Sequence, residues 1–389
     1  MEATTQALDQ LLRAVGDPIA DIRDIGLGHP EFTQARVLRA AAGVLAKTPA
    51  MLPAIADALR TTDESIASPR EQAHLAAAAA WLNGKPVLAA ETYASILSNW
   101  PQDLLALRLA QSCYFFLGWH AELRKVVDSV WPLWKRDDED FRFVLAMAAF
   151  AHAENGDASG AETLGREALK LNPACPIGLH AIAHAFAESG RNRLGANWMR
   201  DQVAHWGGDS RMRTHNAWHL AMFDADSGNV DSALSILDTW LLPPIMESPL
   251  DACDATALLH RLSAEGVEDE GRWGRISEAF EHAWTPGFWP YVDLHAGLAH
   301  LSAEQPARAN RFRARIDAVA LGDDYAAWRA RRITQPGLEA LTAWAGSNHH
   351  QAAQLLAEFG PSVNGAGGSR VQLDIFRRLG REAVSTTAR

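Results

Sequence analysis

The sequence predicts an all-α fold, an α-solenoid of paired helices curled into a superhelix. The first observation is a glycine that returns every 34 to 38 residues along the chain. These glycines are Gly84, Gly118, Gly156, Gly190, Gly228 and Gly266. The second observation is that each of them ends an Ala/Leu-rich stretch of helical period and precedes a shorter one. A period of this length with two helices per repeat is typical of α-solenoids, and no segment shows a clear β-strand pattern.

The N-terminal residues predict a helical cap. Residues 3–15 and 31–62 have helical period but do not follow the glycine repeat. The end units of a solenoid are usually atypical because they cover an otherwise exposed face. We therefore expect residues 1–68 to form a cap over the first repeat.

The regular array begins at Pro69. The string REQAHLAAAAAWLNG predicts a helix that Gly84 ends, and PVLAAETYASILSNWP predicts its partner, which Pro101 stops. The strings FRFVLAMAAFAHAENG and ASGAETLGREALKLNP repeat this pattern, with Gly156 and Pro173 at equivalent places. Alanines five residues after the glycines allow the paired helices to approach closely. This is the pattern of tetratricopeptide repeats.

The later units are less regular. The string LLPPIMESP breaks the pattern with two adjacent prolines, and residues 251–265 then resume it. Residues 289–303 and 306–319 predict a further pair, and a Gly-rich loop at 361–369 precedes the last helix. We expect a repeat array over 69–320 and a C-terminal helical cap over 321–389, with no linker that separates independent domains.

Charge and cysteine content limit the classes of function. The formal net charge is −11, which disfavours nucleic acid and anionic membranes, because both need a basic surface. We therefore expect no nucleic acid and no membrane as partners. The thiols of Cys113, Cys175 and Cys253 are far apart in sequence and form no CxxC motif. This predicts a reducing, cytoplasmic location, and the N-terminus reads as an amphipathic helix rather than a signal peptide.

Polar side chains cluster on the first helices of successive pairs. Residues four apart share a helix face, so His180 pairs with His184 and His215 pairs with His219. Equal distances from the repeat glycines predict that such residues lie on one lengthwise stripe and line a shared concave pocket. The complete candidate set is Arg70, His74, His180, His184, His215, Asn216, His219, Asp254, Asp293 and His295.

Two interpretations of this set remain open. Paired histidines with nearby carboxylates suit a divalent metal such as zinc, although HxxxH lacks the glutamate of the HExxH proteases. Without a metal they suit acid–base chemistry, because histidine titrates near neutral pH. We expect His184, His215, His219 and Asp254 to act in the chemistry and the remaining six to bind the ligand. The alternative is that each histidine is a buried residue satisfied by backbone or water.

Two further features allow a functional and a structural interpretation. Arginines between 191 and 213, among them Arg200 and Arg211, fit either a site for a carboxylate or phosphate or an exposed, solvated face. The string GAGGS fits either an anion-binding backbone nest or a flexible connection.

Over nearly its whole length the chain resembles the tetratricopeptide repeat protein 38 family. The strings that carry the resemblance, in order, are REQAH, LLALRLAQSCYFFLG, HAIAH, HNAWHLA, DACDATALLHRL, DLHAGLA and GGSRVQLD. The resemblance implies an all-helical repeat fold without a settled biochemical role, and its strings contain the polar candidates. It also implies a smaller, less charged pocket here, because charged or aromatic family residues are replaced. The replacements are Gln111, Ser112, Ala148, Ala187 and Leu373.

Three functions follow as alternatives. The first is a small polar metabolite bound in the His/Asn/Asp pocket, with acid–base or metal-assisted chemistry. The second is a protein-interaction scaffold that holds a peptide or partner helix in its groove. The third is a homodimer built through the end caps, with the polar cluster merely internal.

Overall fold

The computed structural model of the chain is almost entirely helical where it is described. The described residues are 2–16, 32–63, 65–208, 210–267 and 270–387. Within them the β-structure is one isolated bridge between Val15 and Ser210. The prediction of an all-α fold is confirmed. Residue 31, the predicted start of the second helical segment, lies outside the described residues, and the rest of that segment forms two helices, Thr33–Ala46 and Leu52–Arg60.

Contacts between backbones divide the chain into two compact units. Unit 1 comprises Met1–Gly190 and Asp201–Arg213, and unit 2 comprises Arg191–Arg200 and Thr214–Arg389. In each unit consecutive helix pairs pack against the next pair, as in an α-solenoid of tetratricopeptide-like repeats. The division into caps and array at 68 and 320 stays a prediction.

Unit 1 contains the N-terminal helices and the first repeats. Its helices are α1 (Glu2–Arg13), α2 (Thr33–Ala46), α3 (Leu52–Arg60), α4 (Pro69–Leu82), α5 (Pro86–Asn99), α6 (Leu104–Leu117), α7 (His120–Val130), α8 (Phe141–Glu154), α9 (Ala158–Leu171), α10 (Pro176–Glu188) and the one-turn helix Val203–Trp206.

Unit 2 contains the later repeats and the C-terminal helices. They are α11 (Asn192–Asp201, whose last residue belongs to unit 1), α12 (Arg213–Asp226, whose first residue belongs to unit 1), α13 (Val230–Ile236), α14 (Pro249–Ala264), α15 (Glu270–Ala283), α16 (Pro290–Ser302), α17 (Pro306–Ala320), α18 (Tyr325–Arg329), α19 (Gln335–Ala345), α20 (His349–Phe359) and α21 (Asp374–Thr387).

The repeat glycines end the first helices in the predicted way. All six have positive φ, from 66° at Gly190 to 89° at Gly266. At Gly118 the backbone N–H donates to the carbonyl of Phe115 and closes α6. A residue with a Cβ is disfavoured in this conformation, which explains why glycine recurs there.

Side-chain caps begin α4, α6 and α14, whereas α10 and α16 begin without one. Ser68 and Glu71 form a reciprocal capping box at the start of α4. Asp103 caps α6 by accepting from the Ala106 N–H, and Ser248 caps α14 by accepting from the Asp251 N–H. These caps fix which residues of each helix occupy its first turns.

Small residues bring the paired helices close together, as predicted. Ala89 and Ala161 are fully buried. A Cβ added at Gly165 would lie 2.6 Å from Cγ1 of Ile182, so α9 and α10 approach too closely there for any larger residue. In the described part of the chain, every helix is too short or too polar to cross a lipid bilayer.

Candidate functional site

The ten candidate residues are divided between the two units. Arg70, His74, His180 and His184 belong to unit 1, and the other six belong to unit 2. That all ten line one pocket stays a prediction.

Arg70 and His74 hold a buried carboxylate that sequence reasoning missed. Oδ2 of Asp103 accepts hydrogen bonds from Nε of Arg70 at 2.6 Å and from Nε2 of His74 at 2.9 Å. Burial raises the pKa of the Asp103 carboxyl, but these two hydrogen bonds, the charge of His74 and the Ala106 N–H together outweigh burial and hold the pKa below its usual range. The three side chains therefore join α4 to α6, with the Asp103 carboxylate and the His74 imidazole buried and the Arg70 side chain 47% exposed.

His184 faces a second buried carboxylate, from the preceding repeat. Its Nδ1 lies 2.9 Å from Oε1 of Glu154, and Nε2 of His120 lies 3.7 Å from Oε2 of the same residue. The ring of His180 lies edge-on to that of His184, with centroids 4.2 Å apart, and Phe150 packs on both. Glu154 is 1% exposed, so the interior of unit 1 contains a carboxylate between two imidazoles.

In unit 2, His215 and Asp254 form a hydrogen-bonded pair. Nδ1 of His215 lies 2.6 Å from Oδ2 of Asp254, and the Nε2 amide of Gln372 donates to Oδ1 at 3.4 Å. The side chain of His215 is 17% exposed and that of Asp254 is 2% exposed. The histidine is thus the member of the pair that reaches solvent, and the carboxylate lies behind it.

Aromatic rings of α12 fix the His215 imidazole. Trp218 stacks on it with centroids 5.1 Å apart and planes 17° apart. His219 lies edge-on to the same ring at 4.8 Å. Trp218 is fully buried, so the imidazole plane is set by the core of unit 2 rather than by solvent.

The buried amide of Asn216, next to His215 in sequence, has no hydrogen-bond partner among the described residues. Asn216 is fully buried, and neither atom of its amide is hydrogen-bonded to any described residue. Buried amides are normally paired, because burying an unpaired amide costs on the order of 1–3 kcal/mol. Such a group is typical of a site where a ligand or ordered water completes the bonding.

Tyr291 and His295 extend this network along α16. The Tyr291 hydroxyl is hydrogen-bonded with Cys253 and Gln372, and burial raises its pKa well above the usual value. Nδ1 of His295 bonds to the Tyr291 carbonyl at 2.8 Å, while its buried Nε2 has no partner among the described residues. Burial lowers the pKa of His295 to about 4, although the carbonyl and the charge of Asp254 act to raise it. His295 is therefore neutral near pH 7.

The Gly-rich loop delivers Gln372 to this place. Gly367 and Gly368 have φ of 82° and 84°, and a Cβ at Gly368 would lie 2.7 Å from the Tyr291 ring. Ser369 and Gln372 then cap each other: the Ser369 N–H donates to Oε1 and the Gln372 N–H to the serine hydroxyl. The loop therefore has a defined path. We call His215, Asp254, Tyr291, His295 and Gln372, together with Asn216 as the sequence neighbour of His215, the His215 cluster.

Asp293 belongs to a turn rather than to this cluster. Its carboxylate accepts from Nε1 of Trp284 at 2.8 Å and from the Gly287 N–H at 3.1 Å. Burial raises its pKa to about 7 despite these donors and the charge of Arg329. Its described contacts are those of a residue that holds the α15–α16 turn.

Imidazole and carboxylate donors lie close together in each unit, although neither set forms a group of three or more converging metal ligands among the described residues. His120, Glu154 and His184 offer two imidazoles and a carboxylate in unit 1, and His215 with Asp254 offers one of each in unit 2. Both sets match the N/O ligands that zinc accepts. Each carboxylate already contacts an imidazole, so a metal would replace that contact, and the divalent metal stays a prediction.

Comparisons with known proteins found solved structures of low sequence identity. No family model matches the chain. A solved structure of an IFIT1 monomeric mutant with Gppp-AAAA is 14% identical, with a TM-score of 0.43, and the match covers 98% of this chain and 87% of that one. A second IFIT1 monomeric mutant, with m7Gppp-AAAA, is 13% identical with a TM-score of 0.38, covering 99% and 82%.

These two structures bear on one expectation from sequence, the absence of nucleic acid as a partner. Both proteins were solved with Gppp-AAAA or m7Gppp-AAAA, so the exclusion of nucleic acid drawn from net charge is wrong. The physical reason is that net charge sums over the whole chain, whereas phosphates are bound by local groups.

Proposed function

We propose that unit 2 binds a small polar molecule at the His215 cluster and that His215 exchanges a proton with it. The observation that carries the proposal is the short His215–Asp254 hydrogen bond, with the imidazole partly exposed and the carboxylate buried. A carboxylate that accepts from Nδ1–H fixes the tautomer in which Nε2 is the basic nitrogen. This is the arrangement that a general base requires.

The polarity of the ligand is inferred from Asn216 and His295. The amide of Asn216 and the Nε2 of His295 are buried and have no partner among the described residues. An apolar ligand would leave both desolvated and unpaired, whereas a ligand with hydroxyl, amide or carboxyl groups would pair them. We therefore propose a ligand rich in hydrogen-bonding groups, with metal assistance as a variant of the same proposal.

Native mass spectrometry and metal analysis of the freshly purified full chain test this function. We expect an adduct of a small molecule or metal ion, retained by the wild type and lost by His215→Gln and Asn216→Ala. The matched control is His282→Gln, which changes an exposed histidine of the same unit. Equal retention in all four proteins, or no adduct and no metal in the wild type, would contradict the proposal.

We also propose that the chain is a divergent member of the tetratricopeptide repeat protein 38 family. Strings that carry that resemblance supply His215, Asp254 and Gln372, and these three side chains are hydrogen-bonded in one network. If the chain shared only a helical repeat pattern with the family, there would be no reason for three separate strings of the resemblance to supply one hydrogen-bonded network.

A scaffold function is the second candidate, favoured by an apolar groove between α20 and α21. The groove has a volume of about 580 Å³ and is lined by Leu356, Phe359, Val363 and Phe376, with Arg377 and Arg381 beside them. Val384, at one wall, is 59% exposed. The apolar lining beside two arginines fits an acidic amphipathic helix of a partner protein.

A labelled acidic amphipathic peptide, with its Glu→Lys counterpart, tests the scaffold by fluorescence anisotropy. We expect the full chain to bind the acidic form more tightly and Val384→Glu to abolish binding. Leu133→Glu, at an exposed leucine of unit 1, is the control. Absence of binding, or equal binding of both peptides, would count against this function.

A further inference from the structure

A lysine in unit 1 ends helix α2 in an unusual conformation. Lys47 has φ of 51°, the left-handed region that usually favours glycine at a helix end. Its Nζ donates to the carbonyl of Leu45 and to Oγ of Ser112, both at 2.8 Å. Residues held in this region without glycine often have a constrained role for the side chain. The conformation directs the Lys47 ammonium to helix α6.

An arginine lies on the same face of α6. Arg108 precedes Ser112 by four residues, so the two side chains are neighbours along that face. The Nε of Arg108 is buried and has no hydrogen-bond partner in the described part of the chain. A guanidinium offers five N–H donors, and among the described residues none of the side-chain hydrogen bonds or ion pairs uses those of Arg108.

No carboxylate balances these two cations in the described residues. Burial and, to a lesser degree, the positive charge of Arg108 lower the pKa of Lys47 to about 7, although Cys113 acts to raise it. Burial likewise lowers the pKa of Arg108 to about 10, with the charge of Arg211 acting in the same direction. Neither pKa reflects an Asp or Glu nearby. Buried charges are normally paired, because an uncompensated one is costly.

We propose that Lys47 and Arg108 bind an oxyanion, the phosphate or carboxylate group of a small molecule, against α6 in unit 1. The guanidinium supplies the planar fork that matches two oxygens of such a group, and the ammonium supplies a point charge. Arg211 adds to the positive potential at Arg108. The neighbouring Gln111 is not part of the site, because its amide donates to the Met147 carbonyl.

The test uses the full chain and two probes, inorganic phosphate and acetate, with chloride at the same ionic strength as reference. We expect at least one probe to raise the Tm by a few degrees above chloride, since a ligand that binds only the folded state stabilises it. Isothermal titration calorimetry should show affinity at least about tenfold weaker in Lys47→Met and in Arg108→Met. A response to phosphate alone identifies a phosphate site, and a response to acetate identifies a carboxylate site.

Arg166→Met is the matched control, because Arg166 lies on α9 of the same unit and pairs with Glu162 at the surface. It should keep the wild-type response to either probe. Absence of a response in the wild type, or an equal response in all four proteins, overturns the proposal.

Stability without added anion gives a second, independent readout. Arg108→Met removes an uncompensated cation, so in chloride buffer its Tm should equal or exceed that of the wild type. A lower Tm or a failure to fold would mean that the chain itself supplies the counter-charge, and this result also overturns the proposal.

Discussion

Nδ1 of His215 donates a hydrogen bond to Oδ2 of Asp254 at 2.6 Å, although 39 residues separate them in sequence. The first helices of two successive repeats of unit 2 supply the two side chains. Because Trp218 already sets the plane of the imidazole, Asp254 contributes the choice of tautomer. The consequences of changing this carboxylate should therefore appear at the imidazole.

Asp254→Asn should increase the fraction of His215 in the Nε2–H tautomer. An asparagine amide can donate to Nδ1, which leaves the hydrogen on the other nitrogen and removes the basic Nε2. Imidazole ¹⁵N chemical shifts measure the tautomer directly, and native mass spectrometry of the same samples measures ligand retention. Asp238→Asn, in the Asp238–Arg272 surface pair, is the control. Unchanged ¹⁵N shifts in Asp254→Asn would contradict the role given to Asp254.

Gly368→Ala should destabilise unit 2 more than Gly228→Ala. Both glycines have φ near +84°, so both substitutions carry the left-handed penalty of about 1–2 kcal/mol. At Gly228 a Cβ meets nothing within 4 Å, whereas at Gly368 it lies 2.7 Å from the Tyr291 ring, which adds about 1–3 kcal/mol. Urea unfolding measures the free energy of unfolding of each variant relative to the wild type. Equal losses would mean that the Gly368 loop relaxes without cost.

The repeat could be predicted from sequence because its signal is local. A left-handed helix end is a property of one residue and its neighbours, so glycine spacing marked the end of each first helix at positions such as Gly118. Residues 306–319 were predicted as a helix, and the helix spans Pro306–Ala320. Helical period and helix-ending residues require no knowledge of distant contacts.

The environments of the candidate residues could not be predicted in this way. His74 and His180 stand at the same distance from their glycines, yet His74 bonds to Asp103 whereas His180 packs on Phe150 and His184. Asp103 and Phe150 come from repeats that neighbour those of His74 and His180. Spacing within one helix does not specify which residue a neighbouring repeat supplies. Gln372 is a stronger case, because it reaches Asp254 across 118 residues through an irregular loop.

Asp103→Asn should lower the free energy of unfolding by about 1–3 kcal/mol, because it removes the buried anion that accepts from Arg70 and His74. Asp128→Asn, in an exposed pair with Arg124, should cost less than about 1 kcal/mol. Urea unfolding near pH 7 measures both. The Asp103 pKa is depressed in the folded state, so its contribution is present above the unfolded pKa and is lost as pH falls through the folded one. Equal costs for the two variants at neutral pH would contradict this account.

The three cysteines should be inert in the native chain. Cys113, Cys175 and Cys253 are buried, and burial raises the pKa of each thiol. Thiolate is the reactive form, so a colorimetric thiol reagent near pH 8 should modify none of them within minutes and all of them in denaturant. Rapid reaction in the native state would show that a helix carrying one of these thiols opens readily, and mass mapping would identify which one.

Asp293→Asn should remove a component of the pH dependence of stability. Burial raises the pKa of this carboxyl from 3.8 to about 7, so between about pH 4 and 7 the folded chain holds a proton that the unfolded chain has lost. The contribution of Asp293 to the free energy of unfolding is therefore highest below about pH 4. It falls by on the order of 4 kcal/mol as the pH rises to about 7. Asparagine keeps an oxygen that accepts from Trp284 and Gly287 but cannot ionise. The difference in unfolding free energy between wild type and variant should therefore fall across this range and level off above it. Asp323→Asn, an exposed carboxyl of the same unit, should give a curve parallel to the wild type, and a parallel curve for Asp293→Asn would show that Asp293 is ionised throughout.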